Sequence, residues 1–305
     1  MAALFLFSAC ADDSGTPNSP SSNDNGSSDG SGISGDGNGN GNGNGNGDHT
    51  QNADTVKQDP PSFTPSYKID PDHHFDYGED GALPYRIHYP ENYDESYAYP
   101  AVLFLHGAGE RGNDNVAQIE GASFSLLFED MTSPLYGAII VAPQCPKGKQ
   151  WVNTPFGGGS YSVDAIAESN ELKAALAILE SVCEESSVNR DRIYVMGISM
   201  GGYGTWDLLM RHGDIFAGAM PICGAADPTR AASLAEMPIY TCHGNLDTSV
   251  PFSGSEAMVN ALLSAGSECV LYDWIIGKGH NVWEDAFVRT DIFTWLFQQR
   301  RHISQ

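Results

Sequence analysis

One serine in this sequence stands where a serine can act as a nucleophile. The apolar run Ile193-Tyr194-Val195-Met196 leads straight into Gly197-Ile198-Ser199-Met200-Gly201-Gly202, and a helical pattern follows. A strand-to-helix turn this tight strains the serine and thrusts its Oγ into the open. Glycine is needed two residues to either side, because a side chain there would crowd the turn. The pattern by itself carries little: Gly26-Ser27-Ser28-Asp29-Gly30 fits it too, without a strand before it or a helix after it. A serine hydroxyl needs a base, and the base needs a carboxylate to hold its tautomer. Both follow Ser199, in the chain order serine, acid, histidine. Asp247 lies in His243-Gly244-Asn245-Leu246-Asp247-Thr248-Ser249-Val250-Pro251, after the apolar run Ile239 to Cys242. His280 closes Gly277-Lys278-Gly279-His280, after Val270 to Ile276. The expected chemistry is acyl transfer, with Ser199 as nucleophile, His280 as general base and Asp247 orienting the imidazole.

Acyl transfer also needs two donors for the oxyanion that forms on the attacked carbonyl. The backbone N–H of Met200, at a helix N-terminus, is the first. The second comes from the loop His106-Gly107-Ala108-Gly109-Glu110-Arg111-Gly112, which follows the apolar run Val102 to Leu105. Ala108 N–H is the expected donor and Gly109 N–H the fallback, while His106 is expected to bond the loop rather than react. Trp151 and Trp283 are candidates for the substrate wall, able to stack on a sugar or aryl ring. No metal or cofactor is expected. Asp72-His73-His74 has no third ligand at useful spacing, and the cysteines show no CxxC pair.

These residues need a frame. Six largely apolar runs read as strands buried on both faces: Val102 to Leu105, Gly137 to Val141, Arg192 to Met196, Gly218 to Cys223, Ile239 to Cys242 and Val270 to Ile276. Helices are expected between them. Val163 to Cys183, with Ser162 as its cap, places Ile166, Leu172, Leu176, Leu179 and Val182 on one stripe. Met200 to Arg211, Ser253 to Leu263 and Ala286 to Gln299 follow the later strands. Alternation of this kind specifies an α/β domain with a mostly parallel central sheet and helices on both faces, its chemistry at the carboxyl ends of the strands.

Composition bounds the rest. The 305 residues carry a formal net charge of -24, which repels phosphate backbones and argues against nucleic acid as a partner. Residues 1 to 64 hold only eight of the 39 acids, so the domain itself is acidic. The opening MAALFLFSAC resembles a bacterial lipoprotein signal with Cys10 acylated, although no Lys or Arg precedes the apolar run and the run is short. Residues 11 to 60, rich in Gly, Asn, Ser and Asp, hold almost nothing apolar to bury and read as a linker. The expected organisation is a signal over 1–10, the linker over 11–60 and the α/β domain over 61–305. The expected product is an exported monomer, tethered to the envelope through Cys10 or secreted.

The set LFLHGAGERG, APQCP followed by Trp151, GISMGGYGTW, HGNLDTSVP and GKGHNVW resembles bacterial esterases of the polyhydroxybutyrate-depolymerase and feruloyl-esterase kind, a carbohydrate esterase family 1-like group that includes predicted peptidases. The resemblance runs from about Tyr85 to Phe297. It implies the α/β-hydrolase fold, Ser199, Asp247 and His280 as the triad, and Met200 with Ala108 as oxyanion donors. It further implies an ester substrate, with feruloyl or acetyl groups on plant polysaccharide foremost. A polyester or lipid esterase, a serine peptidase and a non-catalytic carbohydrate binder are the alternatives.

Overall fold

The structure, a computed structural model, describes residues 57–64, 73–76, 82–121 and 123–301. The signal reading over 1–10 and the linker as far as residue 56 lie outside the described residues. Residues 57–60, assigned to the linker from composition, belong to the domain edge. Lys57 Nζ donates to Ser187 Oγ at 2.8 Å, and Asp59 pairs with Arg192 at 2.9 Å.

Among the described residues eight strands form one sheet: β1 (His73–Asp76), β2 (Ala82–His88), β3 (Tyr99–Leu105), β4 (Ile139–Pro143), β5 (Val188–Ile198), β6 (Gly218–Ile222), β7 (Ile239–Gly244) and β8 (Val270–Ile275). Their order is β1-β2-β4-β3-β5-β6-β7-β8. β1 pairs antiparallel with β2, β2 antiparallel with β4, and every other pairing is parallel. From β3 the chain crosses to β4 on one side, then returns to β5 on the other. That reversal opens a crevice between the carboxyl ends of β3 and β5, where sheets of this kind bind their ligands.

The helices are α1 (Ala117–Glu120), α2 (Asn170–Glu185), α3 (Met200–His212), α4 (Phe252–Ser264), α5 (Trp283–Phe287) and α6 (Thr290–Phe297). Central strands bury alternate side chains on opposite faces, which explains their unbroken apolar runs. Leu103, Leu105 and Val195 join α2, α3 and α4 in one core layer. Val102, Phe104, Tyr194 and Met196 join α5, α6 and the 3-10 turn Phe124–Phe128 in the other.

Three expectations are corrected. α2 begins at Asn170, capped by Ser169 Oγ, which accepts from Leu172 N at 3.0 Å, and not after Ser162. Tertiary bonds hold the preceding segment outside a helix: Asp227 accepts from Val163 N at 2.9 Å, and Arg211 Nη2 donates to the carbonyls of Val163 and Ile166. The helix read over 286–299 is two, α5 and α6, broken at Val288 and Arg289, where Arg289 turns to Asp273 and Asp291. Gly137 belongs to a 3-10 turn, Pro134–Gly137, and not to β4.

Candidate active site

Ser199 stands between β5 and α3 with φ +54° and ψ -117°. A non-glycine residue there stores about 1–3 kcal/mol of strain, which the neighbours must impose. They do so by leaving no alternative space. A Cβ on Gly201 would lie 1.9 Å from Leu105 O, and one on Gly197 2.4 Å from Gly201 O. The two flanking glycines are thus sites of backbone-to-backbone contact, and Ser199 N donates to Ile222 O at 2.9 Å.

His280 Nε2 lies 2.8 Å from Ser199 Oγ, and its Nδ1 lies 2.6 Å from Asp247 Oδ2. The carboxylate oxygen requires the proton on Nδ1, leaving Nε2 to accept from the serine hydroxyl. The Asp247 side chain is enclosed, and its Oδ1 accepts from Ser249 N at 2.8 Å and Val250 N at 3.0 Å. Burial pushes its pKa up, but the bonds from His280, Val250 and Ser249 outweigh burial and hold it below the usual carboxylate range. The three residues expected from the sequence are therefore joined in one hydrogen-bonded line.

A fourth residue enters that sequence analysis did not single out. His243, fully buried, points Nε2 at Asp247 Oδ2 (3.0 Å) and Val250 O (3.2 Å), so Nε2 carries a proton; Nδ1 lies 2.8 Å from Ser255 Oγ. Desolvation lowers its pKa, leaving a neutral second donor on the orienting carboxylate. The signal was present in the four-residue spacing of His243 and Asp247.

The pairing of Leu105 with Gly197 sets the start of the 106–112 loop beside Ser199. Ala108–Glu110 forms a 3-10 turn that begins at Ala108, so its first N–H groups have no carbonyl within the turn. Met200 begins α3 and is buried. His106 bonds the surrounding fold and not Ser199: its Nδ1 lies 2.6 Å from Gly107 O, and Cys145 N donates to its Nε2 at 2.9 Å.

Trp151 is corrected. It is completely buried, its indole N–H donates to His106 O at 3.0 Å, and Gly204 leaves room for it, so it supports the loop from the core and offers no face to a ligand. Trp283 is half-buried and packs edge-on against His280, ring centroids 5.3 Å apart. The Arg111 guanidinium lies over the Phe156 ring at 5.9 Å, and the next residue, Gly157, sits beside Ser249 O. Tyr203 Oη anchors this segment through both the N–H and the carbonyl of Gly159.

The prolyl oligopeptidase family matches residues 162–241, a stretch that contains Ser199 and ends before Asp247. No curated protein matches the chain. A thermostable esterase of known structure is similar at 31% identity with a TM-score of 0.66, covering 76% of this chain; the chain spans 63% of that protein's length. A mutant of the feruloyl esterase module from Clostridium thermocellum, complexed with sinapinate, superposes with a TM-score of 0.56 at 16% identity, over 82% of this chain and 98% of that one. A dipeptidyl aminopeptidase IV described as putative, from Bacteroides ovatus, gives 0.53 at 18% identity, over 76% of this chain and 35% of that one. Topology and comparisons agree that the chain has the α/β-hydrolase fold.

Proposed function

We propose that the protein is a serine hydrolase of carboxylic esters, with Ser199, His280 and Asp247 as its catalytic residues. The observation that carries this is the line Asp247–His280–Ser199, with contacts of 2.6 and 2.8 Å, on a serine held at a strained φ. Ser199 Oγ attacks the ester carbonyl as His280 Nε2 takes its proton. The N–H groups of Met200 and Ala108 hold the oxyanion. As the bond to the alcohol breaks, His280 returns the proton to the leaving oxygen and an acyl-Ser199 remains. Water, deprotonated by the same nitrogen, then releases the acid and restores the serine.

An ester is preferred over an amide on the likeness to the thermostable esterase, the higher of the three in both identity and TM-score. Feruloyl or acetyl groups on plant polysaccharide are the substrate class that the motif resemblance favours. An envelope tether through Cys10 would hold the enzyme against such a polymer. The second reading, a peptidase, rests on the match of residues 162–241 to the prolyl oligopeptidase family. Turnover of matched p-nitrophenyl esters and p-nitroanilides by the full chain separates the two. Ester turnover exceeding anilide turnover by orders of magnitude is expected, and faster anilide cleavage would replace the ester reading with the peptidase one. Methyl ferulate set against short and long aliphatic esters then names the acyl group, and preference for long aliphatic chains would overturn the polysaccharide reading.

A further inference from the structure

The loop His106-Gly107-Ala108-Gly109-Glu110-Arg111 contains three ionisable side chains, and two of them, His106 and Arg111, turn back to hydrogen-bond its own backbone. Cys145 N–H can only donate, so the His106 Nε2 that receives it at 2.9 Å is bare, and the ring proton sits on Nδ1. That proton goes to Gly107 O, 2.6 Å away. The carbonyl of Gly107 and the N–H of Ala108 are opposite ends of one planar, trans peptide unit. The next unit joins the carbonyl of Ala108 to the N–H of Gly109. Arg111 Nε donates to Ala108 O at 2.8 Å, and Arg111 Nη1 to Lys149 O at 3.1 Å. The Glu110 carboxylate packs behind the same turn, its Oε2 4.0 Å from His106 Nδ1 and 3.0 Å from where a Cβ on Gly107 would stand.

Resting on the hydrolase reading above, we propose that His106 and Arg111 are positioning residues of the oxyanion site, each donating to the carbonyl of a peptide unit whose N–H opens on the crevice beside Ser199. Their effect is twofold. Each bond fixes the plane of its peptide, and so the direction of the N–H on the far side. Donation to a carbonyl also polarises the amide and makes its N–H a stronger donor. Bracing from the crevice side would fill it; these bonds come from behind. A Cβ on Gly109 would meet nothing within 4 Å, consistent with an open face there. Trp151 holds His106 in turn through the carbonyl at 3.0 Å and an edge-on ring contact at 5.3 Å. Burial lowers the His106 pKa to about 4, so the ring stays neutral at the pH of assay and Nε2 stays an acceptor.

The test uses the full chain and p-nitrophenyl acetate, with His106→Phe, His106→Asn and Arg111→Met. Removing an oxyanion donor costs ~10²- to 10³-fold in rate, and loosening one is expected to cost on the order of 10- to 100-fold. For His106→Phe this loss should fall on kcat with KM nearly unchanged, and the affinity for a trifluoromethyl ketone, which forms a tetrahedral oxyanion on the serine, should fall by the same factor. The matching thiono ester, whose sulfur accepts poorly, should show a much smaller difference between wild type and variant. His106→Asn keeps a donor where Nδ1 stood and should recover most of the loss. If His106→Phe does not fold, Arg111→Met, altered at the surface end of the same brace, is expected to lower kcat several-fold with the same thiono ester signature. Unchanged kcat in the folded variants, or equal losses for oxygen and sulfur esters, overturns the proposal. A wild type inert towards every ester removes instead the hydrolase reading on which it rests.

Discussion

Acidification from pH 7 to 4 should destabilise the fold through His106. The side chain is fully buried, and burial lowers its pKa to about 4; in the unfolded chain a histidine titrates at about 6.5. Between those values the unfolded state binds the proton and the folded state does not. Stability therefore falls as pH falls from about 6.5 towards 4 and levels off below that, where both states are protonated. At about 1.4 kcal/mol per pH unit, the gap is worth about 3 kcal/mol, or a Tm loss of roughly 6–12 °C for a domain of this size. Other groups titrate in the same range. Burial raises the pKa of Glu110, a contribution of opposite sign, and His243 is lowered like His106. The difference between wild type and His106→Asn isolates the ring, because asparagine does not titrate. Melts followed by circular dichroism at pH 7, 6, 5 and 4 should show the variant less stable at pH 7 and nearly level with wild type at pH 4. Parallel slopes for the two proteins would refute the reasoning.

Three further outcomes follow from the same contacts. Asp247→Asn keeps its amide oxygen on the Ser249 and Val250 N–H groups, which turns its NH₂ towards His280 and forces the ring proton onto Nε2; kcat should fall ~10⁴-fold with the far-ultraviolet spectrum unchanged. His243→Leu removes one donor from the buried carboxylate and should cost about 1.5–3 kcal/mol in a urea melt while lowering kcat far less than Asp247→Asn does. Gly201→Ala, which would place a Cβ 1.9 Å from Leu105 O, should yield insoluble or inactive protein, whereas Gly109→Ala should fold with a Tm near that of wild type.

The residues that meet in the line Asp247–His280–Ser199 were legible as candidates in the sequence through local signatures: two glycines around Ser199, and an acid and a histidine each just past an apolar strand. The central strands were legible for a similar reason, since burial on both faces leaves them continuously apolar. β2 was not recognised as a strand, and its run Ala-Leu-Pro-Tyr-Arg-Ile-His shows why: it carries a proline and an arginine. The start of α2 was misplaced because Asp227 and Arg211, distant in sequence, capture the backbone of residues 163–166. Trp151 was misread because a tryptophan after a strand looks the same in sequence whether it faces a ligand or the space left by Gly204. The role of Arg111 is set by which backbone carbonyls it reaches, and spacing alone does not encode that.

The most direct measurement of the central claim is covalent capture of the nucleophile. The full chain and its Ser199→Ala variant are incubated with a fluorophosphonate, then examined by intact mass and peptide mapping, with p-nitrophenyl acetate hydrolysis followed in parallel. One label per chain is expected, on the peptide holding Ser199, with loss of hydrolysis in step with labelling, and neither label nor turnover in the variant. Label on another residue, or undiminished hydrolysis by Ser199→Ala, would contradict the account.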